Sequence, residues 1–256
     1  MRKLSAALIF LVAAATTGRP NWTVTSAQTE GPRDGVQHRH AILTDRETGA
    51  QAIVDLAFFS AKSYTLRLID QPIPPRRVLA DVMEQEKCLA GVNGGYFSSD
   101  YAPIGLVIVD GRTITPLRRA RLLTGVLTAS SRGVQIMRTR EFSMRQEKFN
   151  AAVQCGPFLV DLGQRARGLD NSRSARRTFA AVAKPDRVAL GFCSETSLAE
   201  LANILASAQL ADDFKISRAL NLDGGSSSGF WFAREGDAFS VPEQKTVRDF
   251  VAIVPK

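Results

Sequence analysis

The chain has 256 residues, of which 45% are hydrophobic and 23% charged, and its formal net charge is +8. This composition is typical of one large globular domain with a sizeable core, and it excludes a disordered chain or a repeat array. The three cysteines and two histidines are too few and too widely spaced for a Cys/His metal site.

The N-terminus has the pattern of a secretory signal peptide. Met1-Arg2-Lys3 is basic, Leu4 to Ala15 is apolar, and Thr25-Ser26-Ala27 offers a small-residue cleavage site. The apolar run is shorter than the roughly 20 residues that span a bilayer, and no later segment is a candidate span. We therefore predict a signal peptide over residues 1–27, no stable membrane span after its cleavage, and a secreted or periplasmic protein.

The rest of the chain is predicted to comprise a polar leader over residues 28–49 and a domain over residues 50–256. Residue patterns predict strands over 51–59, 64–70, 88–92, 104–109, 112–115, 122–129, 133–138, 152–161, 178–183, 187–193, 218–222 and 247–254. Helical spacing predicts helices over 76–87 and 197–210, the second beginning with the capping box Ser197/Glu200. Hairpin signals between strands then favour a single mixed α/β (α+β) domain, with a mixed, largely antiparallel sheet and a few flanking helices.

One motif follows the strand predicted over 218–222 and reads Asp223-Gly224-Gly225-Ser226-Ser227. A carboxylate at a strand end, glycines that admit a close ligand, and serine hydroxyls are typical of an anion-binding turn. A serine-rich turn capped by Asp223 is the structural alternative. The overlapping segment Gly225-Ser226-Ser227-Ser228-Gly229 also fits the nucleophile-elbow pattern G-x-S-x-G, but no histidine follows Ser227, which excludes a serine hydrolase of that type.

Two further motifs carry suitable chemistry. Asn93-Gly94-Gly95-Tyr96-Phe97 also follows an apolar run, and Arg177-Thr178 ends an arginine-rich loop where a strand begins. An amide can hold sugar or phosphate oxygens, an aromatic ring can stack on a sugar, and arginine binds phosphate through a planar fork of donors. A tight turn and a solvated basic loop are the structural alternatives.

The order of these motifs, with Gly156-Pro157-Phe158-Leu159 between them, resembles the phosphodiester glycosidase family, whose members include exported bacterial, exopolysaccharide-related proteins. The resemblance covers about residues 50–255. It implies hydrolysis of the bond between the anomeric carbon of a sugar and a phosphodiester oxygen, in an exported glycan or glycoconjugate. The sequence departs from the family pattern at Ser226, where a third glycine is expected, and at Cys155 and Cys193.

The resemblance also implies roles. Asp223 is the expected nucleophile or general base, with Arg177 and the N–H groups of Gly224 and Gly225 holding the departing phosphate. Asn93 and Ser227 are expected to orient oxygens, and Tyr96 to stack on the sugar. Gly94, Gly95 and Ser226 complete the predicted substrate-binding residues.

Several alternatives stay open. Asp110, Glu195 and Asp100 are unranked candidates for a second acid, and the pairing of Cys88, Cys155 and Cys193 in one disulfide is undecided. No cofactor is assigned, although a divalent cation sharing Asp223 is an open alternative. The alternative function is a non-catalytic binding protein for an anionic envelope polysaccharide. Because the basic chain is predicted to be exported, we expect a sugar phosphodiester or anionic glycan as partner, not a nucleic acid.

Overall fold

The structure is a computed structural model, which describes residues 21–32, 35–145, 147–212 and 214–256. The first nine strands are β1 (Trp22–Glu30), β2 (Gln37–Asp45), β3 (Gln51–Ser60), β4 (Tyr64–Asp70), β5 (Ala90–Asn93), β6 (Val107–Val109), β7 (Arg112–Thr115), β8 (Gly125–Ser130) and β9 (Gly133–Arg138). The other nine are β10 (Phe149–Cys155), β11 (Phe158–Asp161), β12 (Gln164–Arg165), β13 (Ala175–Ala183), β14 (Arg187–Thr196), β15 (Ile216–Asn221), β16 (Phe230–Phe232), β17 (Phe239–Val241) and β18 (Asp249–Pro255). The helices are α1 (Leu79–Gln85) and α2 (Leu198–Ser207), with a 3₁₀ turn at Gly225–Ser227.

The predicted fold class, a mixed α/β domain, is wrong. Strands take up 48% of the described residues and helices 9%, and the strands form three antiparallel sheets. The hairpin signals in the sequence indicate the physical reason, because strands joined by hairpins pair antiparallel and need no helix between them. The two helices are short crossovers between strands that run parallel on either side of one antiparallel strand: α1 connects β4 to β5 across β18, and α2 connects β14 to β15 across β13.

The three sheets enclose a shared core. The largest has the strand order β1-β2-β3-β14-β13-β15-β11-β12, and the two five-stranded sheets have the orders β7-β6-β10-β8-β9 and β17-β16-β5-β18-β4. One apolar cluster contains Phe59 from β3, Val92 from β5 and Leu127 from β8, so side chains from all three sheets meet there. The second cluster packs α2 against the other face of the large sheet through Leu201 and Leu205.

Several local predictions agree with the structure. Strands β4 and β9 have the predicted bounds, and the capping box is present, since the Ser197 hydroxyl accepts from the Glu200 N–H and the Glu200 carboxylate accepts from the Ser197 N–H. Helix α1 begins only at Leu79, because the chain leaves Pro74 and Pro75 in a turn and Val78 is still extended.

The segment predicted as leader forms ordered strands. β1 pairs with β2 from Trp22 to Glu30, and β2 pairs with β3. Buried His38 on β2 joins all three, since its ring nitrogens contact Glu30 Oε1 at 2.5 Å and Asp55 Oδ1 at 2.9 Å. Residues 1–20 of the predicted signal peptide lie outside the described residues, and the cleavage site predicted after Ala27 falls within β1. In the described part of the chain, neither α-helix has the length and apolar character of a membrane-spanning helix.

Candidate active site

The candidate site lies where two sheets meet. β5 of one five-stranded sheet ends at Asn93, and β13 and β15 of the large sheet supply Thr178 and the residues before Asp223. Asn93 joins them, because its Nδ2 donates to the Asp223 carbonyl at 2.8 Å and its Oδ1 accepts from the Thr178 hydroxyl at 2.7 Å. The structure therefore brings the three predicted motifs together at one place.

Asn93 is fully buried, and its amide is occupied by the protein itself. Besides the bonds to Asp223 and Thr178, its Oδ1 accepts from the Gly229 N–H at 3.2 Å. A buried amide with partners at both ends fixes the backbone around it, and leaves little for a ligand. In this arrangement Asn93 holds the Asp223 backbone and the turn that follows it.

Asp223 is half-buried in the short connection between β15 and the 3₁₀ turn. Its backbone N–H donates to the Gly94 carbonyl at 3.1 Å, and its Oδ1 accepts from the Gly224 N–H at 2.9 Å. Burial raises the pKa of Asp223, while the neighbouring Ser227 hydroxyl, the Gly224 N–H and the Lys245 charge oppose that rise. The Gly224 N–H, predicted to bind phosphate, is thus used by the Asp223 carboxylate.

Arg177 is almost completely buried on β13, close to Gly224. Its Nε donates to the Thr196 carbonyl at 2.9 Å, and its Nη2 donates to the Arg173 carbonyl at 2.7 Å. These two bonds fix the plane of the guanidinium. The third nitrogen, Nη1, lies 3.8 Å from the position that a side chain on Gly224 would occupy, beside the Asp223 motif.

Tyr96 and Asn221 form one wall of the site. The Tyr96 hydroxyl donates to the Gly156 carbonyl at 2.5 Å and accepts from Asn221 Nδ2 at 3.1 Å. Burial raises the pKa of Tyr96, and the charge of Asp223 adds to that rise, so the phenol is neutral over the physiological range. The ring is half-buried against the core, and Asn221 Oδ1 is buried without a hydrogen-bond partner among the described residues.

A carboxylate that the sequence analysis did not single out lies under the Asn93-Gly94-Gly95 turn. Asp249 on β18 is 1% exposed, its Oδ1 accepts from the Gly95 N–H at 2.8 Å, and its carbonyl accepts from the Gly94 N–H at 2.9 Å. A Cβ on Gly94 would lie 1.8 Å from Asp249 Oδ1, so glycine is required there. Burial raises the pKa of Asp249 to about 7, the charges of Asp70 and Asp223 add to the rise, and the Gly95 N–H and Arg248 oppose it.

The glycine and serine residues after Asp223 form a short 3₁₀ turn. Gly225 has a φ of +66°, which favours glycine, and the Ser228 N–H donates to the Gly225 carbonyl at 3.1 Å. The Ser226 carbonyl accepts from the Gln244 N–H at 2.8 Å, which places the loop before β18 against this turn. Lys245 on that loop lies over the Phe97 ring at 5.0 Å and adds a positive charge near Asp223.

The predicted candidates for a second acid are all exposed. Asp110 lies in the β6–β7 hairpin with a φ of +48°, and Asp100 accepts from the Ser98 hydroxyl at a turn. Glu195 is exposed near the end of β14. The residues missed by sequence reasoning, Asp249 and Lys245, lie in segments without glycine-rich motifs. The one available signal was an acid at the start of the apolar run 247–254.

Cys88, Cys155 and Cys193 are all free thiols and all buried. Burial raises the pKa of the Cys155 thiol, and the nearby Asp223 charge adds to that rise. Within the described ranges, no group of three or more His, Cys, Asp or Glu side chains has the arrangement of a metal site, around Asp223 or elsewhere.

Comparison with known proteins supports the resemblance found in the motifs. The profile of the phosphodiester glycosidase family matches residues 86–254. A search of curated protein sequences finds no match.

Among solved structures, the fold is similar to the zebrafish N-acetylglucosamine-1-phosphodiester alpha-N-acetylglucosaminidase catalytic domain auto-inhibited by pro-peptide, with a TM-score of 0.63, 15% identity, and coverage of 93% of this chain and 84% of that one. It is also similar to a Synechocystis protein described as hypothetical, with a TM-score of 0.62, 15% identity, and coverage of 91% of this chain and 64% of that one. A Burkholderia pseudomallei protein described as exported has a TM-score of 0.52, 14% identity, and coverage of 81% and 75%.

Proposed function

Because the chain belongs to the phosphodiester glycosidase family, we propose that it hydrolyses the bond between a sugar anomeric carbon and a phosphodiester oxygen in an exported glycan or glycoconjugate. The observation that carries this proposal is the convergence of the Asp223, Arg177 and Tyr96 motifs on one site through Asn93. The likeness to a Burkholderia pseudomallei protein described as exported supports the proposed location.

The reaction needs charge stabilisation more than it needs a strong acid. Glycosidases that expel an alkoxide use two carboxyl groups, one of which protonates the leaving oxygen. A phosphate ester is already a weak base, so a cation that holds its charge can replace much of that protonation. One accessible carboxylate and one fixed arginine therefore form a sufficient minimal site.

In this proposal Asp223 attacks the anomeric carbon or activates a water molecule there. It is the one carboxylate in the three motifs, it is half-buried, and the adjacent Gly224 lies beside Arg177. The N–H of Gly224 and the charge of Lys245 favour its ionised form, which either role requires. The phosphate leaves toward Arg177 Nη1, the guanidinium nitrogen nearest to Gly224.

The remaining residues position these two groups. Asn93 holds the Asp223 carbonyl, and Tyr96 with Asn221 holds the Gly156 carbonyl in the wall that these two residues form. Asp249 is too deeply buried to touch a substrate, so we assign it a positioning role. It holds the N–H of Gly95, while the adjacent Gly94 carbonyl holds the N–H of Asp223.

The test is an assay with a sugar 1-phosphodiester in H₂¹⁸O, with products identified by ³¹P NMR and mass spectrometry. Cleavage at the anomeric carbon places the label in the sugar and leaves an unlabelled phosphomonoester. Cleavage at phosphorus would label the phosphate and contradict the proposed chemistry. Asp223→Asn is expected to lower kcat/KM at least about 100-fold, and Arg177→Ala by about 100-fold to 1000-fold.

Asp100→Asn is the matched control, since it removes an exposed carboxylate that is bonded only within its own turn. It is expected to retain wild-type turnover. If Asp223→Asn folds and keeps wild-type turnover, Asp223 is not the reacting carboxylate. Saturable binding of an anionic glycan without any product would instead favour the non-catalytic binding protein.

A further inference from the structure

A strongly basic surface lies beside the candidate site, on the β7-β6-β10-β8-β9 sheet. Residues 111–148 contain nine basic and two acidic side chains, in a chain whose net charge is only +8. Two of the nine, Arg132 and Arg138, have carboxylate partners in Glu147 and Asp161. The exposed arginines without an ion pair among the described residues are Arg112, Arg118, Arg119, Arg121, Arg140 and Arg145.

Exposed hydrophobic side chains lie among these arginines. Ile114 is 41% exposed, Leu117 38%, Leu122 56% and Met144 53%, and they are four of the nine large hydrophobic residues that are exposed in the described chain. Single exposed hydrophobics are ordinary, but a group of them inside a cationic surface marks an interaction site. We call these four side chains and the six arginines the basic patch.

Contacts join the two chain segments of the basic patch. The Thr113 hydroxyl lies 4.0 Å from Met144 Sδ, so β7 contacts the turn around residue 144. The Thr139 hydroxyl donates to the Leu123 carbonyl at 2.7 Å. Leu117, Arg119 and Arg140 all line one open cavity of about 520 Å³. Residues 112–122 and 139–145 therefore form one continuous surface.

We propose that the basic patch docks the protein on the surface of an anionic phospholipid bilayer. Arginines near such a surface are attracted by its negative potential, and exposed aliphatic side chains enter the boundary between headgroups and acyl chains. A polyanionic glycan or a nucleic acid would neutralise the arginines but would leave the aliphatic side chains against phosphates. The four exposed hydrophobic side chains of the patch are not aromatic, and Phe142, which lines the same cavity, is partly buried and stacks on Phe149, whereas sugar and base stacking uses exposed aromatic rings.

Docking would hold the candidate site close to the lipid headgroups. The Leu122 carbonyl and the Thr124 hydroxyl pack on Gly156, whose own carbonyl accepts from Tyr96 and Asn221 in the wall of the site. The proposal does not depend on the chemistry of that site, because it concerns binding to lipid and is tested without a substrate.

The test is co-sedimentation of the full chain with vesicles of phosphatidylcholine alone and of phosphatidylcholine with one-third phosphatidylglycerol. We expect binding to the anionic vesicles that weakens as salt is raised, because exposed charges are screened. Replacing Arg118, Arg119 and Arg121 together by Gln should weaken that binding about 100-fold. Replacing Leu117 and Leu122 together by Ser should weaken it about tenfold.

The matched control replaces Arg46, Arg165 and Arg167 together by Gln, which removes the same charge from exposed positions outside the patch. It should bind within about threefold of wild type, since charges far from the lipid are screened. The apolar run Leu4 to Ala15 is common to all variants, so its contribution cancels in these comparisons.

Equal binding by the two triple variants, or equal binding of the wild type to neutral and anionic vesicles, would overturn the proposal. So would binding to soluble inorganic polyphosphate without binding to vesicles, which would make the patch a polyanion site. Light scattering gives a further outcome. A wild-type dimer that Leu117→Ser/Leu122→Ser converts to a monomer, with no effect on vesicle binding, would make the patch an interface between two copies.

Discussion

Replacing Asp249 by Asn should remove a large pH dependence from the stability of the protein. Burial raises the pKa of Asp249 from 3.8 to about 7 in the folded chain. In the unfolded chain the pKa returns to its ordinary value, so between about pH 4 and pH 7 the folded state binds the additional proton. Stability therefore falls as pH rises through this window, and is constant with respect to this group above it.

The magnitude follows from the shift in pKa. A change from 3.8 to about 7 is about 3 pH units, and each unit is worth about 1.4 kcal/mol. Ionised Asp249 should thus lower the free energy of unfolding by about 4 kcal/mol at pH 8 relative to pH 4. Asn has the same shape and can still accept from the Gly95 N–H, but it does not titrate.

The assay is urea unfolding at intervals from pH 4 to pH 8, followed by the fluorescence of Trp22 and Trp231. The free energy of unfolding of Asp249→Asn minus that of wild type should rise by about 4 kcal/mol across the series. Asp45→Asn is the control, and its pH dependence should have the opposite sign. Hydrogen bonds to the Asp45 carboxylate, of which the bond from the Thr48 N–H is the most important, lower the pKa of Asp45. If the difference between Asp249→Asn and wild type is independent of pH, Asp249 has an ordinary pKa and the reasoning fails.

Two further predictions concern packing and the thiols. Gly94→Ala should lower the free energy of unfolding by about 3 kcal/mol or more, because its Cβ would meet Asp249 Oδ1 at 1.8 Å. Gly49→Ala, with open space but a φ of +72°, should cost only about 1 kcal/mol in the same urea titration, and equal losses would refute the clash. The three buried thiols should resist Ellman's reagent in the native chain and all react after unfolding without reductant. Fewer than three reactive thiols in the unfolded chain would indicate a disulfide.

Much of the local structure could be predicted from the sequence. The alternation of apolar and polar residues over 64–70 gives β4, and the Ser197/Glu200 pair gives the start of α2. Both signals depend on neighbours within a few residues along the chain. The fold class was wrong because hairpin signals show that neighbouring strands pair antiparallel but do not show how strands far apart in the chain pair, such as β3 with β14.

By itself, the sequence determined the three motifs of the site, because glycines, an acid, an amide and an arginine at strand ends are visible as residue types in order. Only the tertiary structure decided what each motif does. The amide of Asn93 is occupied by Asp223 and Thr178, and the Gly224 N–H by the Asp223 carboxylate. Asp249 lies 154 residues from Gly95 along the chain, yet donor and acceptor are 2.8 Å apart. Burial and hydrogen bonding between residues so far apart depend on how the sheets pack, and no local pattern of residues encodes that.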